Sequence, residues 1–436
     1  MSRQSPPRDR LPEHDLVARA IAGLHGRKKV FVVKAPPGSG KTTLLLGVLR
    51  TLLAQGRRLA VGTQTNSQAD DLCERWVRHG LGPITRLVAT GDDTQRPGPI
   101  DIRTSGDTLP HGPCVVVANT KKWAFAGDFE PFDILFVDEA WQMSWADFSA
   151  LPHVAESFML IGDPGQIQPI VRVDTSRWET APVAPHRPAP EVVLARGIGT
   201  TAAIDHTWRL PFDTAKLVRG FYDFDFAAKA APNARRLLVD PPRGGIGDVL
   251  AMARDASIVA ATRRMPEGGT TPNDDPDLAL DVARAVEALL KARAKVEIDG
   301  VVKDIDPASL GVVATHRVML ASIRDRLPAA AAGVVCETPE RWQGLERPLM
   351  LAVHPLSSTL QPSAFDLATG RLCVMASRHK AALMVFSRAH IADTLGEHRP
   401  EATQAPSRPD DVGRGHARHM DFWRAIERSG RVARLD

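Results

Sequence analysis

The stretch APPGSGKTT, residues 35–43, decides how this chain is read. It follows the apolar run Val30, Phe31, Val32, Val33 and precedes Leu44, Leu45 and Leu46, which gives strand, glycine loop, helix. With no Cβ at Gly38 and Gly40, backbone N–H groups can close on phosphate oxygens. The helix that starts near Lys41 adds the positive end of its dipole. Lys41 has the reach for β- and γ-phosphates, and the Thr42 hydroxyl suits Mg²⁺. Ala35 stands where the pattern usually has its first glycine. Gly38, Ser39, Gly40, Lys41, Thr42 and Thr43 are therefore the candidate nucleotide-binding residues.

Outward from this loop, short apolar runs alternate with amphipathic stretches. Strands are predicted over 30–33, 59–62, 114–118, 134–137 and 158–161, and helices over 42–54 and 66–79. That alternation predicts an α/β fold with a mostly parallel sheet covered by helices. Residues 11–24 carry apolar positions at helical spacing and read as a lead-in helix within 1–29. Residues 80–113, rich in Gly, Pro and Asp, read as loops or a small insertion, and the Pro-rich 181–190 as a surface excursion. A second α/β unit is expected from about Gly247. Its strands are predicted at 257–261, 311–314, 333–336, 349–353 and 383–386, and a periodic helix at 277–292. The partition is 30–245 for the first domain and 246–396 for the second, with 397–436 as a polar C-terminal tail.

Composition sets outer bounds. The 436 residues are enough for two or three domains, and 43% hydrophobic with 24% charged residues is ordinary for a globular chain. A formal net charge of +4 permits a polyanionic partner without demanding one. The four cysteines show no C-x-x-C spacing, which argues against a zinc site or a disulfide framework and fits a reducing, cytoplasmic setting. His79, His111 and His153 show no metal-ligand spacing either. No apolar run reaches the roughly 18 residues of a membrane span, and the polar first residues lack an apolar signal core.

Two further strand ends carry chemistry. LFVDEAWQ, residues 135–142, places Asp138 and Glu139 at the end of an apolar strand, where ligands collect in open α/β sheets. Asp138 suits Mg²⁺, and Glu139 suits orienting and deprotonating an attacking water. LIGDPGQIQP, residues 160–169, ends in a turn whose Asp163 and Gln166 could sense a γ-phosphate; Gly162, Pro164 and Gly165 equally make an ordinary turn.

The order APPGSGKTT, VGTQTNSQADDL, LFVDEAWQ, LIGDPGQIQP, HTWRLP, ETPERWQGLE and RLCVMASRHK resembles the motif series of superfamily 1 helicases, closest to the Upf-like and related branches. The resemblance runs from about residue 30 to 380. It implies two RecA-like P-loop domains with ATP and Mg²⁺ between them. Arg209 and Arg378 are then the arginines that reach the γ-phosphate. Gln166 belongs to the catalytic set, and Gln142, Gly344 and Glu346 to the nucleotide-binding set, with Gln343 in the same coupling motif. Thr63, Thr65 and Asn66, and then Asn119, Thr120, Lys122 and Trp123, become contacts to a single strand of nucleic acid, with DNA favoured over RNA. Trp123 after Lys121 and Lys122 suits base stacking, and a half-buried core tryptophan is the alternative. Trp208 and Trp342 stack on a base or pack. Trp141 and Trp145, four apart, are expected on one helix face. Ser377 stands where threonine is more usual. No glutamine precedes the loop at a convincing position for reading adenine; His14 and Asp15 lie there instead.

The expected activity is ATP hydrolysis driving movement on single-stranded DNA or RNA, with duplex unwinding. A nucleotide-switched nucleic-acid clamp, within a larger protein complex, is the second reading. A metabolic P-loop kinase is a third, against which Gln142, Gln166, Arg209 and Arg378 argue.

Overall fold

The computed structural model describes residues 14–26, 28–92, 94, 98–127, 129–171, 173–178, 180–266, 272–401 and 411–435. The chain divides into two units. One runs to Pro164 and takes in Gln168–Ile204; the other combines Gly165–Ile167 with Asp205–Asp436. Both are α/β.

The first unit is built on an eight-stranded sheet. Its strands are β1 (Val30–Lys34), β2 (Arg58–Thr63), β3 (Ile84–Leu87), β4 (Ile100–Arg103), β5 (Cys114–Asn119), β6 (Phe132–Val137), β7 (Ala155–Gly162) and β8 (Gly199–Ala203). They lie in the order β4-β3-β5-β2-β6-β7-β1-β8, and every pairing is parallel. The helices are α1 (His14–Leu24), α2 (Lys41–Ala54), α3 (Asn66–Arg78), α4 (Thr120–Ala124), α5 (Trp145–Ser149) and α6 (Ala189–Ala195). Strand residues alternate between the two faces, so Val33, Val61 and Val117 enter one core with Leu45, Leu49 and Trp76. Val32, Ala60 and Val116 enter the other, with Trp123, Phe132 and Phe148.

Three expectations change here. Residues 80–113 do not stay outside the sheet, because Ile84 and Leu87 are buried and β3 and β4 extend it. The lead-in helix packs into the first unit's core through Val17, Ala20 and Leu24; residues 11–13 lie outside the described residues. Trp141 and Trp145 do not share a helix, since a 3-10 turn at Ala140–Gln142 and α5 separate them.

The second unit has a pair of two-residue strands, β9 (His206–Thr207) and β10 (Ala227–Ala228). An antiparallel sheet holds β11 (Arg235–Leu238), β13 (Lys295–Ile298) and β14 (Val301–Asp304). Its main sheet uses β12 (Ile258–Arg263), β15 (Leu310–Val313), β16 (Val335–Glu337), β17 (Arg347–Val353), β18 (His379–Arg388) and β19 (Val432–Arg434). Their order is β16-β15-β17-β18-β12-β19, all parallel. The helices are α7 (Phe212–Val218), α8 (Ile246–Asp255), α9 (Pro276–Lys291), α10 (Arg317–Arg324), α11 (Pro339–Trp342), α12 (Thr369–Ala376), α13 (Ile391–Glu397) and α14 (Asp411–Arg428).

The division falls at 204/205 rather than 245/246, so the HTWRLP segment belongs to the second unit. The polar tail is folded where it is described: α14 buries Phe422, Trp423 and Ile426, and β19 adds a parallel edge strand beside β12. Average polarity hid an amphipathic helix whose apolar positions recur at 422, 423 and 426. Among the described residues no helix is long and apolar enough to cross a membrane.

Candidate nucleotide and nucleic-acid site

Because all strands of the first sheet run parallel, the loops after β1, β2, β5, β6 and β7 emerge at one edge. The loop after β1 is tied down where Ala35 N donates to Gly162 O at 2.8 Å. Gly40 caps α2 in the left-handed region (φ 83°, ψ 27°) with no side-chain cap, which leaves the first-turn N–H groups of α2 directed out of the helix end. Gly38 also has positive φ, at 67°. Ser39 is 4% exposed, and its hydroxyl has no hydrogen-bond partner. Uncapped amides, two glycines at positive φ and an orphaned buried hydroxyl together fit a phosphate chain.

Glu139 follows β6 in the left-handed region (φ 52°, ψ 40°), unusual for a residue other than glycine. Its N–H donates to Asp138 Oδ1 at 2.8 Å, and its carbonyl accepts from Gln142 N at 2.9 Å. This turn brings both carboxylates to Lys41. The ammonium donates to Glu139 Oε1 and lies 3.6 Å from Asp138 Oδ1. Burial opposes a charged Lys41, yet the negative charges of Asp138, Glu139 and Asp163 outweigh it and hold the ammonium above its ordinary pKa. Burial pushes the Asp138 carboxyl the other way, up, against the attraction of Lys41. No group of three His, Cys, Asp or Glu among the described residues could hold a metal alone. The Thr42 hydroxyl with the Asp138 carboxylate is a small oxygen donor set, suited to a hard divalent cation that also takes phosphate and water oxygens.

Along the same edge, Thr65 caps α3 in a reciprocal box with Gln68. Asn66 Oδ1 accepts from Asn119 Nδ2 at 2.6 Å and from Arg86 Nη2 at 3.1 Å. Asn119 caps α4 by accepting from Lys122 N at 2.7 Å. Thr65 and Asn66 are exposed, and Asn119 and Lys122 partly so. Thr63 and Thr120 are buried, and the Thr63 hydroxyl donates to Thr65 O, so these two shape the loops rather than offer a surface.

Trp123 is a correction. It is 0% exposed, donates to Val61 O at 2.8 Å and packs edge-on against Phe132 at 5.4 Å, so no base can reach its face. Two residues on, Phe125 is 90% exposed. The sequence signal was the aromatic beside Lys121 and Lys122; which aromatic faces outward depends on α4 being a single turn.

In the second unit, Arg209 Nε donates to Glu346 Oε2 at 2.7 Å and Nη1 to Ser377 O at 3.3 Å, beside Arg378. Lys380 pairs with the other Glu346 oxygen at 2.7 Å. Arg209, Glu346 and Arg378 thus gather at the starts of β17 and β18. Lys380 was not singled out by sequence, although strand alternation places it two positions from Arg378. Arg378 is 1% exposed and Gln166 7%. Gly344 has φ 79°. Trp208 is partly exposed, with Lys229 Nζ 5.4 Å from its ring centre. Trp342 is fully buried and donates to Val312 O, which makes it a packing residue.

The AAA domain family matches residues 17–177. Over 151 residues the chain is 28% identical to the DNA replication ATP-dependent helicase/nuclease DNA2 of Saccharomyces cerevisiae, covering 32% of this chain and 10% of that protein. Similar solved structures include arterivirus nonstructural protein 10 (helicase), at 14% identity and TM-score 0.44, covering 85% of this chain and 61% of that one. The PRRSV helicase aligns at 17% identity and TM-score 0.42, covering 86% of this chain and 54% of that one. The chain therefore spans a tenth of the curated relative's length and little more than half that of the solved helicases. A P-loop domain of this kind implies ATP binding with a divalent metal. The family match takes in the loop after β1 and the Asp138–Glu139 turn.

Proposed function

We propose that this chain hydrolyses ATP with Mg²⁺ and uses it to move along a single strand of nucleic acid, DNA in preference to RNA, with helicase activity on duplexes. The observation that carries the reading is the meeting of Lys41 with Asp138 and Glu139 beside a left-handed Gly40. Lys41 and the amides of the loop hold the β- and γ-phosphates. Thr42 and Asp138 hold Mg²⁺, which when bound neutralises charge on the phosphate oxygens. Glu139 takes a proton from water as the water oxygen bonds to the γ-phosphorus and the bond to the β-phosphate oxygen breaks, giving ADP and inorganic phosphate. Arg209 and Arg378 add positive charge to the transferring group, and Glu346 and Lys380 fix the angle of Arg209. Gln142 and Gln166 position water and γ-phosphate, and Trp208 offers a face to the nucleotide base. Thr65, Asn66, Asn119 and Lys122 contact the strand, and Phe125 takes the stacking role that Trp123 cannot.

Lys41→Ala should abolish turnover. Glu139→Gln should cut hydrolysis about 10³-fold while nucleotide still binds. Steady-state ATPase and nucleotide titrations with purified full chain test both. Full activity in the Lys41 variant would refute the site.

A further inference from the structure

Arg209 lies in a bend between β9 and α7, outside any ladder or helix. Two side chains pin its main chain. The Arg209 N–H donates to the Thr207 hydroxyl at 3.2 Å, and the Arg209 carbonyl accepts from Arg235 Nη1. Arg235 opens β11 and is 6% exposed. Its other two nitrogens grip Asp299, Nε donating to Oδ1 at 3.0 Å and Nη2 to Oδ2 at 2.6 Å. A guanidinium held on both carboxylate oxygens is fixed in its plane, so Nη1 has one direction in which to donate.

Asp299 is set in turn by its hairpin. Ile298 and Val301 pair across β13 and β14, which leaves Asp299 and Gly300 as the turn between them, at φ 53° and 82°. Positive φ at both turn positions is the geometry that Asp-Gly and Asn-Gly favour. The Asp299 N–H donates to Ala234 O at 2.9 Å and seats the turn beside β11. The ion pair is not needed to hold this sheet together. β11 and β13 already pair from Arg235 to Leu238, and Leu237 and Val296 enter the core. What the Asp299 carboxylate adds is the aim of Arg235 at Arg209.

We propose that Asp299 and Arg235 are positioning residues for ATP hydrolysis, which act by fixing the main chain of Arg209. This rests on the reading of Arg209 as an arginine that adds positive charge to the transferring group. Glu346 and the Ser377 carbonyl hold the guanidinium end of Arg209, and the hairpin holds its backbone end. A side chain fixed at both ends needs no reordering as charge develops on the phosphoryl oxygens.

The test separates this role from that of a turn residue. Asparagine suits the turn as well as aspartate does, so Asp299→Asn keeps the hairpin and breaks only the two-oxygen grip on Arg235. Single-turnover hydrolysis of ATP with Mg²⁺ by the full chain gives the rate, and nucleotide titration the affinity. Asp299→Asn should slow the rate about tenfold with affinity unchanged. Arg209→Ala should slow it by about 10²-fold or more. In the Arg209→Ala background Asp299→Asn should cost nothing further, because the group it aims is gone. Arg235→Lys leaves a cation beside Asp299 but no fork to reach Arg209, so it should behave like Asp299→Asn and serves in its place should that variant not fold. Wild-type rates in both variants, with Arg209→Ala slow, would overturn the proposal and leave the reading of Arg209 standing. A loss that recurs in full in the Arg209→Ala background would also overturn it, since the hairpin would then act on something else. A wild-type rate in Arg209→Ala, or no hydrolysis by the wild-type chain, would overturn both.

Discussion

Glu139 occupies a backbone region that costs an ordinary residue roughly 1–2 kcal/mol. The hydrogen bonds to Asp138 and from Gln142 offset that cost, and the result aims its carboxylate at Lys41. The turn is also held from below. A Cβ at Gly162, the last residue of β7, would lie 2.9 Å from Ala140 N and 3.0 Å from the Trp141 ring. The first is backbone and closer than real Cβ contacts come, and the second is tighter than nearly all of them. Gly162→Ala must therefore shift the turn that carries Glu139. We expect single-turnover hydrolysis to fall at least about tenfold, since a misplacement of roughly 1 Å costs up to about a hundredfold, with nucleotide affinity little changed. Overpacking should also cost about 1–3 kcal/mol in urea unfolding. An unchanged rate would mean that the turn geometry does not matter to the chemistry. Asp138 and Glu139 at the end of an apolar strand were readable in the sequence. The left-handed turn was not, because nothing in glutamate's own preferences asks for it; β7 and the following 3-10 turn impose it.

Elements of the second unit bury uncharged histidines. His379 opens β18, with Nε2 2.8 Å from the Thr214 hydroxyl, and His419 lies inside α14 with neither ring nitrogen bonded. Burial pushes both pKa values down to about 3. In the unfolded chain each imidazole takes a proton near its ordinary value of 6.5. Below that value the unfolded state binds more protons than the folded one. Their stabilising contribution is therefore complete above pH 6.5 and is lost as pH falls toward 3. At pH 5 the loss is on the order of 2 kcal/mol per histidine. We expect urea midpoints to drop between pH 7.5 and 5, and His419→Phe to flatten that drop. An equally steep drop in the variant would remove His419 as a source. The same helix shows the limit of sequence reading. Strands such as β1, β2 and β6 are apolar runs bounded by turn residues and were legible. α14 hides its apolar stripe among charges, and β3 and β4 are four-residue strands inside a glycine-rich stretch, so only the sheet they join reveals them. Trp123 fails for the same reason, since its direction is set by the core that β2 and β6 build.

At the scale of the molecule, a formal net charge of +4 is too small to drive polymer binding by itself, so any engagement must come from local contacts such as Lys122 and its neighbours. Burial holds the Lys122 ammonium below its ordinary pKa, yet at neutral pH it remains a cation on the edge that also carries Asn66 and Asn119. A strand held there through about three phosphates would show a slope of log affinity on log salt near −2. Between 50 and 200 mM salt that is about a 20-fold loss of polymer affinity. We therefore expect the concentration of single-stranded DNA or RNA that half-maximally stimulates the ATPase to rise by about that factor, while polymer-free turnover barely moves. Lys122→Ala should lower the slope by somewhat less than one unit. Stimulation that ignores salt would mean that bases, not phosphates, hold the strand. Polymer binding with the expected salt slope but no stimulation of hydrolysis would favour the nucleotide-switched clamp over the motor, because a motor must couple each turnover to the strand it moves along.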